Sequence, residues 1–259
     1  MRIARFSTGS TPVFGTVEGE GDEQFVSALA GHPFGGEVQL TGDRYPLSAV
    51  RLLAPMIPSK IVAIGMNYAD HAGELGSDQP AEPVIFLKPA TSVVGPGDAI
   101  TYPVGLTERV DHEAELAVVI GRLCREVPPE RAPEVIFGYT CANDVTARDL
   151  QKRDGQWTRA KSFDTFCPLG PWITTGVDAS DLAIMATVGG EVRQTARTSQ
   201  LLHDVSALIA YVTQVMTLLP GDVLLTGTPA GVGPLQVGDE VSVSIESLGT
   251  LTNRVVARD

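Results

Sequence analysis

The chain has 259 residues, with 31 acidic against 19 basic side chains and a formal net charge of −12. A field of that sign repels phosphate backbones and anionic lipid surfaces, which excludes nucleic acid and membranes as expected partners. With 43% hydrophobic and 19% charged residues, 27 Gly and 18 Pro, the composition is that of a turn-rich globular protein with room for one large domain, or one large and one small. An acidic protein that takes an anionic substrate needs a local cation to reverse the sign of its own field, and a bound metal would do so.

Residues 1 to about 55 alternate short apolar stretches, Ile3 to Phe6 and Val13 to Val17, with Gly, Pro and acidic residues, and end at Pro55 and Pro58. This pattern places a small β-rich N-terminal domain over 1–56 and a larger one over 57–259. The N-terminal Met-Arg-Ile-Ala-Arg-Phe-Ser carries no long apolar segment, and no later stretch approaches the ~18 apolar residues of a membrane span, so a cytoplasmic protein is expected. Lys60-Ile-Val-Ala-Ile-Gly65 reads as a buried strand running into the polar Asn67-Tyr68-Ala-Asp-His71-Ala-Gly-Glu74. His71 and Glu74, three apart, would share a helix face as a base and its orienting carboxylate, although an ordinary solvated pair has the same spacing. From Gly73 to Pro83 the chain is polar and Pro-containing, as in a surface loop able to act as a lid.

Asp111-His112-Glu113-Ala114-Glu115-Leu116 leads into the apolar Ala-Val-Val-Ile120, so Glu113 and Glu115 should project from one face of a strand. Two adjacent carboxylates repel, and burying them requires a cation or a proton. The alternative is a solvated acidic face at the start of the strand. Asn143-Asp144, which follows Val135-Ile-Phe-Gly-Tyr139, offers a third carboxylate from a neighbouring strand. Three oxygen ligands with open positions suit Mg²⁺ or Mn²⁺. Zinc is disfavoured, because a zincin motif would need His where Leu116 stands. Arg148, Gln151 and Lys161 follow closely and would suit a substrate carboxylate, though Arg and Lys are also ordinary solvated residues.

Gly-Asp pairs at Gly97-Asp98, Gly221-Asp222 and Gly238-Asp239 each precede an alternating run, as turns that launch strands. Val205, Leu208, Ile209, Val212, Met216 and Leu219 recur at helical steps before Pro220-Gly221, which predicts one clear helix. His32 and His203 have no acidic or cysteine cluster around them and read as structural. Cys124, Cys141 and Cys167 are widely spaced and read as buried thiols. No nucleophile elbow, Walker loop or dinucleotide fingerprint is present. Strands outnumber helices, which gives an α+β class dominated by β-sheet.

Taken in order, Gly65-Met-Asn67-Tyr68-Ala-Asp-His71, Asp111-His-Glu113-Ala-Glu115-Leu, Asn143-Asp144-Val-Thr-Ala-Arg148-Asp149-Leu-Gln151, Lys161-Ser-Phe-Asp164 and Thr226-Gly227-Thr228-Pro229 resemble the fumarylacetoacetate hydrolase family. The resemblance spans about residues 57 to 256 and is similar to its smaller acylpyruvase, oxaloacetate decarboxylase and isomerase members. It implies a mixed β-roll catalytic domain, usually in a homodimer, beside a variable N-terminal domain. It also implies Mg²⁺, Mn²⁺ or Ca²⁺ on Glu113, Glu115 and Asp144; His71 as general base with Glu74 as its partner acid; Lys161 stabilising or protonating the carbanionic intermediate; and substrate contacts at Tyr68, Arg148, Gln151, Gly227 and Thr228. Two departures stand out. Ile64-Gly65-Met66-Asn67 holds no fourth carboxylate ligand, and Gly189-Gly190-Glu191 replaces the usual Asn-Gly-Glu turn.

The activity so implied is metal-dependent chemistry on a small 2-oxo (di)carboxylate through a metal-bound enolate. C–C cleavage is the first expectation, either acylpyruvate hydrolysis, in which His71 activates water, or oxaloacetate-type decarboxylation, which needs none. Isomerisation of a 2-hydroxyhepta-2,4-diene-1,7-dioate in aromatic catabolism is the alternative. A reading of another class is an inactive metal or small-anion binding module, against which the retained Glu113, Glu115, Asp144, His71, Glu74 and Lys161 count.

Overall fold

The run Ala114–Ile120 has the near-continuous apolar character of a strand covered on both faces, and all seven of its residues are buried. In the computed structural model, which describes residues 1–34, 36, 38–74 and 80–258 and all their side chains except those of His71 and Ala72, this strand lies inside a 12-stranded mixed sheet. It pairs antiparallel with Ile136–Asn143 on one side and Val223–Leu225 on the other. Val223–Leu225 in turn runs parallel to Ile61–Gly65, and Val84–Lys88 closes that edge. At the other end Arg2–Ser7 pairs with Cys167–Thr174 and continues into the N-terminal meander of Val13–Glu18, Phe25–Leu29 and Leu40–Pro46. The N-terminal strands therefore extend the main sheet.

Strand alternation assigns the two faces of Ala114–Ile120 to different neighbours. Ala114 and Leu116 meet Ile184, Ala186, Val243, Ile245 and Leu251 of a five-stranded sheet, while Val118 and Ile120 meet Leu208, Ile209 and Val212 of the helix Val205–Val215. Ala117 and Val119 face the opposite way, onto Ile61, Ala63 and Leu169. Odd-numbered residues thus share one face, and Glu113 and Glu115 are at its upper end. Mainly β architecture with few helices is what the sequence pattern leads to, in the mixed-sheet form implied by the resemblance.

The three Gly-Asp pairs make one kind of turn. Each Gly has a positive φ, of 75°, 89° and 100° in chain order, and each Asp carboxylate accepts the backbone N–H of the residue three before it, namely Gly95, Leu219 and Gln236. The helix predicted up to Leu219 is shorter than its periodicity, covering Val205–Val215, with the Asp204 side chain accepting Ala207 N–H at its start. Met216 is already extended, because the chain turns there to place Leu218 in a two-bond bridge with Cys124, at 2.9 Å each way. All three cysteines are buried free thiols, and burial pushes Cys141 and Cys167 up to about 12. Among the described residues, no helix is long and apolar enough to cross a membrane.

Candidate active site

Glu113 sits between the strands Val110–His112 and Ala114–Ile120, and backbone pairing carries past it to the next strand. Its N–H donates to Asn143 Oδ1 at 2.9 Å, and its carbonyl accepts Asp144 N–H at 2.8 Å. This stitching sets the Asp144 carboxylate beside that of Glu113. With Glu115 two residues on, the three buried side chains bring ligand oxygens within 4.8 Å of one another. A third carboxylate from the neighbouring strand is therefore where the sequence reading puts it.

Cations surround this triad. Lys161 Nζ lies 2.8 Å from Glu113 Oε2 and 2.6 Å from Asp144 Oδ2. Arg148 reaches Glu113 Oε1 through Nη2 at 2.5 Å, Asp111 Oδ2 through Nε at 2.9 Å and Gln151 Oε1 through Nη1 at 2.7 Å. Arg148 and Gln151 are three apart on the helix Arg148–Asp154, so both face the same side. Lys88, at the end of the edge strand, donates to Asp144 Oδ1 at 2.5 Å and to Val145 O at 3.3 Å. Glu115 accepts Gly227 N–H at 2.7 Å. That approach requires glycine, because Gly227 has φ of 101° and a Cβ there would stand 2.8 Å from that of Asn67. Asn67 in turn fixes this loop, donating to Thr226 O at 2.8 Å and to His203 O at 3.0 Å.

Electrostatics show what the cluster lacks. Desolvation, then the neighbouring Asp144 and Glu113 charges, push the Glu115 carboxyl well above the usual carboxylate range. Burial works against the Lys161 and Arg148 cations, but the carboxylates beside them outweigh it and hold both above their ordinary values. Asp111, Glu113 and Asp144 are ion-paired to Lys88, Arg148 and Lys161, with Arg109 also on Asp111, whereas Glu115 accepts the Gly227 N–H. A divalent cation on the triad would relieve the repulsion that raises Glu115, so the donor set fits a hard metal held by oxygens.

The triad lines a narrow recess together with Ile64, Phe86, Trp157, Lys161, Arg148, Gln151 and Thr228. Gly65 has no side chain in the space the Trp157 ring occupies; a Cβ would lie 2.5 Å from it. Trp157 packs edge-on against Phe86, and Lys161 Nζ stands 4.9 Å from the centre of the Phe86 ring.

The structure thus brings Glu113, Glu115, Asp144, Lys161, Arg148, Gln151 and Thr228 to one recess, with Gly227 holding Glu115. Glu74 lies outside the lining and accepts Gly231 N–H with both oxygens at 3.2 Å. Tyr68 is 1% exposed and packs in the core with Ala114 and Leu116 instead of lining the recess. The His71 backbone belongs to the helix Ala69–Glu74, but its side chain lies outside the described residues, as do residues 75–79 of the expected lid. Sequence reasoning missed Lys88, Asp111 and Gln194. Asp111 is fully buried and carries both Arg148 and Arg109. Gln194 ties the strand Glu191–Arg197 to the strand Ala114–Ile120 and to Thr228. The one available signal for Gln194 was its alternation with Ala196, which marks an inward position.

Residues 60–256 match the fumarylacetoacetate (FAA) hydrolase C-terminal family, and residues 1–55 match the Rv2993c-like N-terminal family. The crystal structure of 5-carboxymethyl-2-hydroxymuconate delta-isomerase from Mycobacterium smegmatis is 52% identical and superposes with a TM-score of 0.94, covering 100% of both chains. Mitochondrial oxaloacetate tautomerase FAHD2B of Homo sapiens is 46% identical over 82% of this chain and 71% of its own length. A maleylpyruvate hydrolase from Sphingobium sp. SYK-6, solved with manganese(II) and pyruvate, is 33% identical with a TM-score of 0.82 over 100% of both chains. The acidic triad, its lysine and arginine partners and these likenesses along the whole chain have one common meaning: the protein belongs to the fumarylacetoacetate hydrolase family.

Proposed function

We propose that this chain is a divalent-metal-dependent enzyme that forms the enolate of a small 2-oxo (di)carboxylate, in C–C cleavage or in keto–enol isomerisation. The observation that carries the reading is the buried triad Glu113, Glu115 and Asp144, within 4.8 Å of one another and lining one recess with Arg148, Lys161 and Thr228. When bound there, Mg²⁺ or Mn²⁺ would supply the positive charge that makes the carbon next to a keto group acidic.

The chain's own residues do the remainder. Arg148, anchored by Asp111 and Gln151, and Thr228 would orient the substrate carboxylate. Lys161, kept protonated by Glu113 and Asp144, would hold a proton at Nζ within the recess. His71, with Glu74, is the proposed base. Phe86 and Trp157 contribute apolar rings to the lining and would limit water there, which matters because an enolate is protonated readily. The isomerisation reading draws support from the M. smegmatis isomerase and the human tautomerase, and the cleavage reading from the maleylpyruvate hydrolase. A cytoplasmic homodimer completes the proposal, in line with the family resemblance.

The test is one assay panel of oxaloacetate, acetylpyruvate, fumarylpyruvate and a 2-hydroxy-2,4-dienedioate, run with Mn²⁺, Mg²⁺ or EDTA. Turnover of at least one substrate with metal and none with EDTA is expected. Turnover that persists after complete metal removal contradicts the proposal, and no turnover of any substrate favours a binding module.

A further inference from the structure

Gln194 is 1% exposed, and each polar atom of its amide has fixed partners. Its Oε1 accepts the N–H of Ala114 at 2.9 Å and stands 3.2 Å from His112 Nδ1, while its Nε2 donates to Pro229 O and to Thr228 Oγ1, both at 2.8 Å. Two of these partners are backbone groups of unalterable polarity. A peptide N–H only donates and a peptide carbonyl only accepts, so the amide has one permitted orientation. Thr228 Oγ1 must therefore accept from Gln194. Its own proton is directed elsewhere, and Thr228 lines the recess.

We infer that Gln194 is a positioning residue that commits the Thr228 hydroxyl to donate into the recess, so that the substrate atom meeting it is a hydrogen-bond acceptor, a carboxylate or keto oxygen. The inference rests on the proposed 2-oxo acid reading. It adds a source of specificity: a ligand presenting a donor-only group at this point, such as an ammonium, meets another proton and is rejected. The amide also links this donor to the metal-side strand, since the same oxygen holds Ala114, between Glu113 and Glu115.

The experiment is a double-mutant cycle read by calorimetric binding of pyruvate, which carries only acceptor oxygens, to the Mn²⁺-loaded full chain. Gln194→Glu replaces the donating amide nitrogen with an acceptor, so the Thr228 proton turns away from the recess; Thr228→Val removes the hydroxyl. Each is expected to weaken pyruvate about tenfold or more, as for loss of a hydrogen bond to a charged group, and the double variant no further than either alone. Gln194→Met, of similar length and uncharged, frees the hydroxyl without reversing it, so a smaller loss that vanishes in the Thr228→Val background is expected should the glutamate fail to fold. Additive losses, or pyruvate binding unchanged in a folded Gln194 variant, overturn the inference while leaving the proposed function intact. Failure of the unmutated protein to bind pyruvate overturns both.

Discussion

The Lys88 ammonium lies 2.5 Å from Asp144 Oδ1, and both side chains are wholly closed off from solvent. Lys161 takes the other oxygen of the same carboxylate, so without metal Asp144 is neutralised by protein cations alone. Lys88→Met leaves one oxygen of a buried carboxylate uncompensated. It is expected to destabilise the metal-free protein by about 3–5 kcal/mol. Saturating Mn²⁺ should narrow that difference, because a metal takes up the same negative charge. Urea unfolding with EDTA and with Mn²⁺ measures both quantities.

Glu115 gives the opposite sign. Its folded-state value is raised above 4.5 by desolvation and by Asp144 and Glu113, so its contribution is intact below the unfolded value and is lost as pH rises through the folded one. The metal-free protein should therefore lose stability as pH rises from about 4.5, more steeply than Glu115→Gln does. The variant should also lose metal binding. Thermal unfolding across pH with EDTA, followed by Mn²⁺ titration, checks the pair of effects.

Arg148 bonds three partners through three separate nitrogens. A lysine has one nitrogen and no planar fork, so Arg148→Lys is not conservative here. It should lose about 1.5–3 kcal/mol of substrate binding, seen as a rise of tenfold or more in KM. Steady-state kinetics on whichever substrate of the panel is turned over give the value.

Asp222 tests the frame apart from the site. Burial pushes its carboxyl up, but Lys60, Ser59 and the Leu219 N–H outweigh that and hold it below the usual carboxylate range. Its stabilising contribution is therefore present above the unfolded value and lost as pH falls through the folded one. Asp222→Asn, which unpairs Lys60 and loosens the turn into the central strand, should cost about 3 kcal/mol at neutral pH, with the gap closing in acid.

The legible parts of this molecule are those with a local signature. Glu113 and Glu115 announce a shared face because strand side chains repeat every two residues, and that inference needs no knowledge of the partner strand. Asp144 is legible only as a polar stop after an apolar run; its closeness to Glu113 is set by bonds between chain segments about thirty residues apart. Lys88 is invisible for a different reason. At the end of Val-Ile-Phe-Leu-Lys it reads as a solvated strand terminus, and only the parallel pairing of Ile61–Gly65 with Val223–Leu225 places that edge over Asp144. The pairing of Arg2–Ser7 with Cys167–Thr174 spans most of the chain and leaves no local trace. Tyr68 and its neighbour have different surroundings that the motif does not distinguish: Asn67 holds the Thr226 loop, while the Tyr68 ring packs with Ala114 and Leu116.

The most direct test of the central claim is deuterium exchange at the carbon next to the keto group of pyruvate and oxaloacetate in D₂O, followed by NMR with and without the protein. Enolate formation on this site predicts protein-dependent exchange with Mn²⁺ or Mg²⁺, none after EDTA treatment, and none for Glu113→Gln. Protein-dependent exchange that survives complete metal removal would contradict the account, as would its absence in the metal-loaded protein.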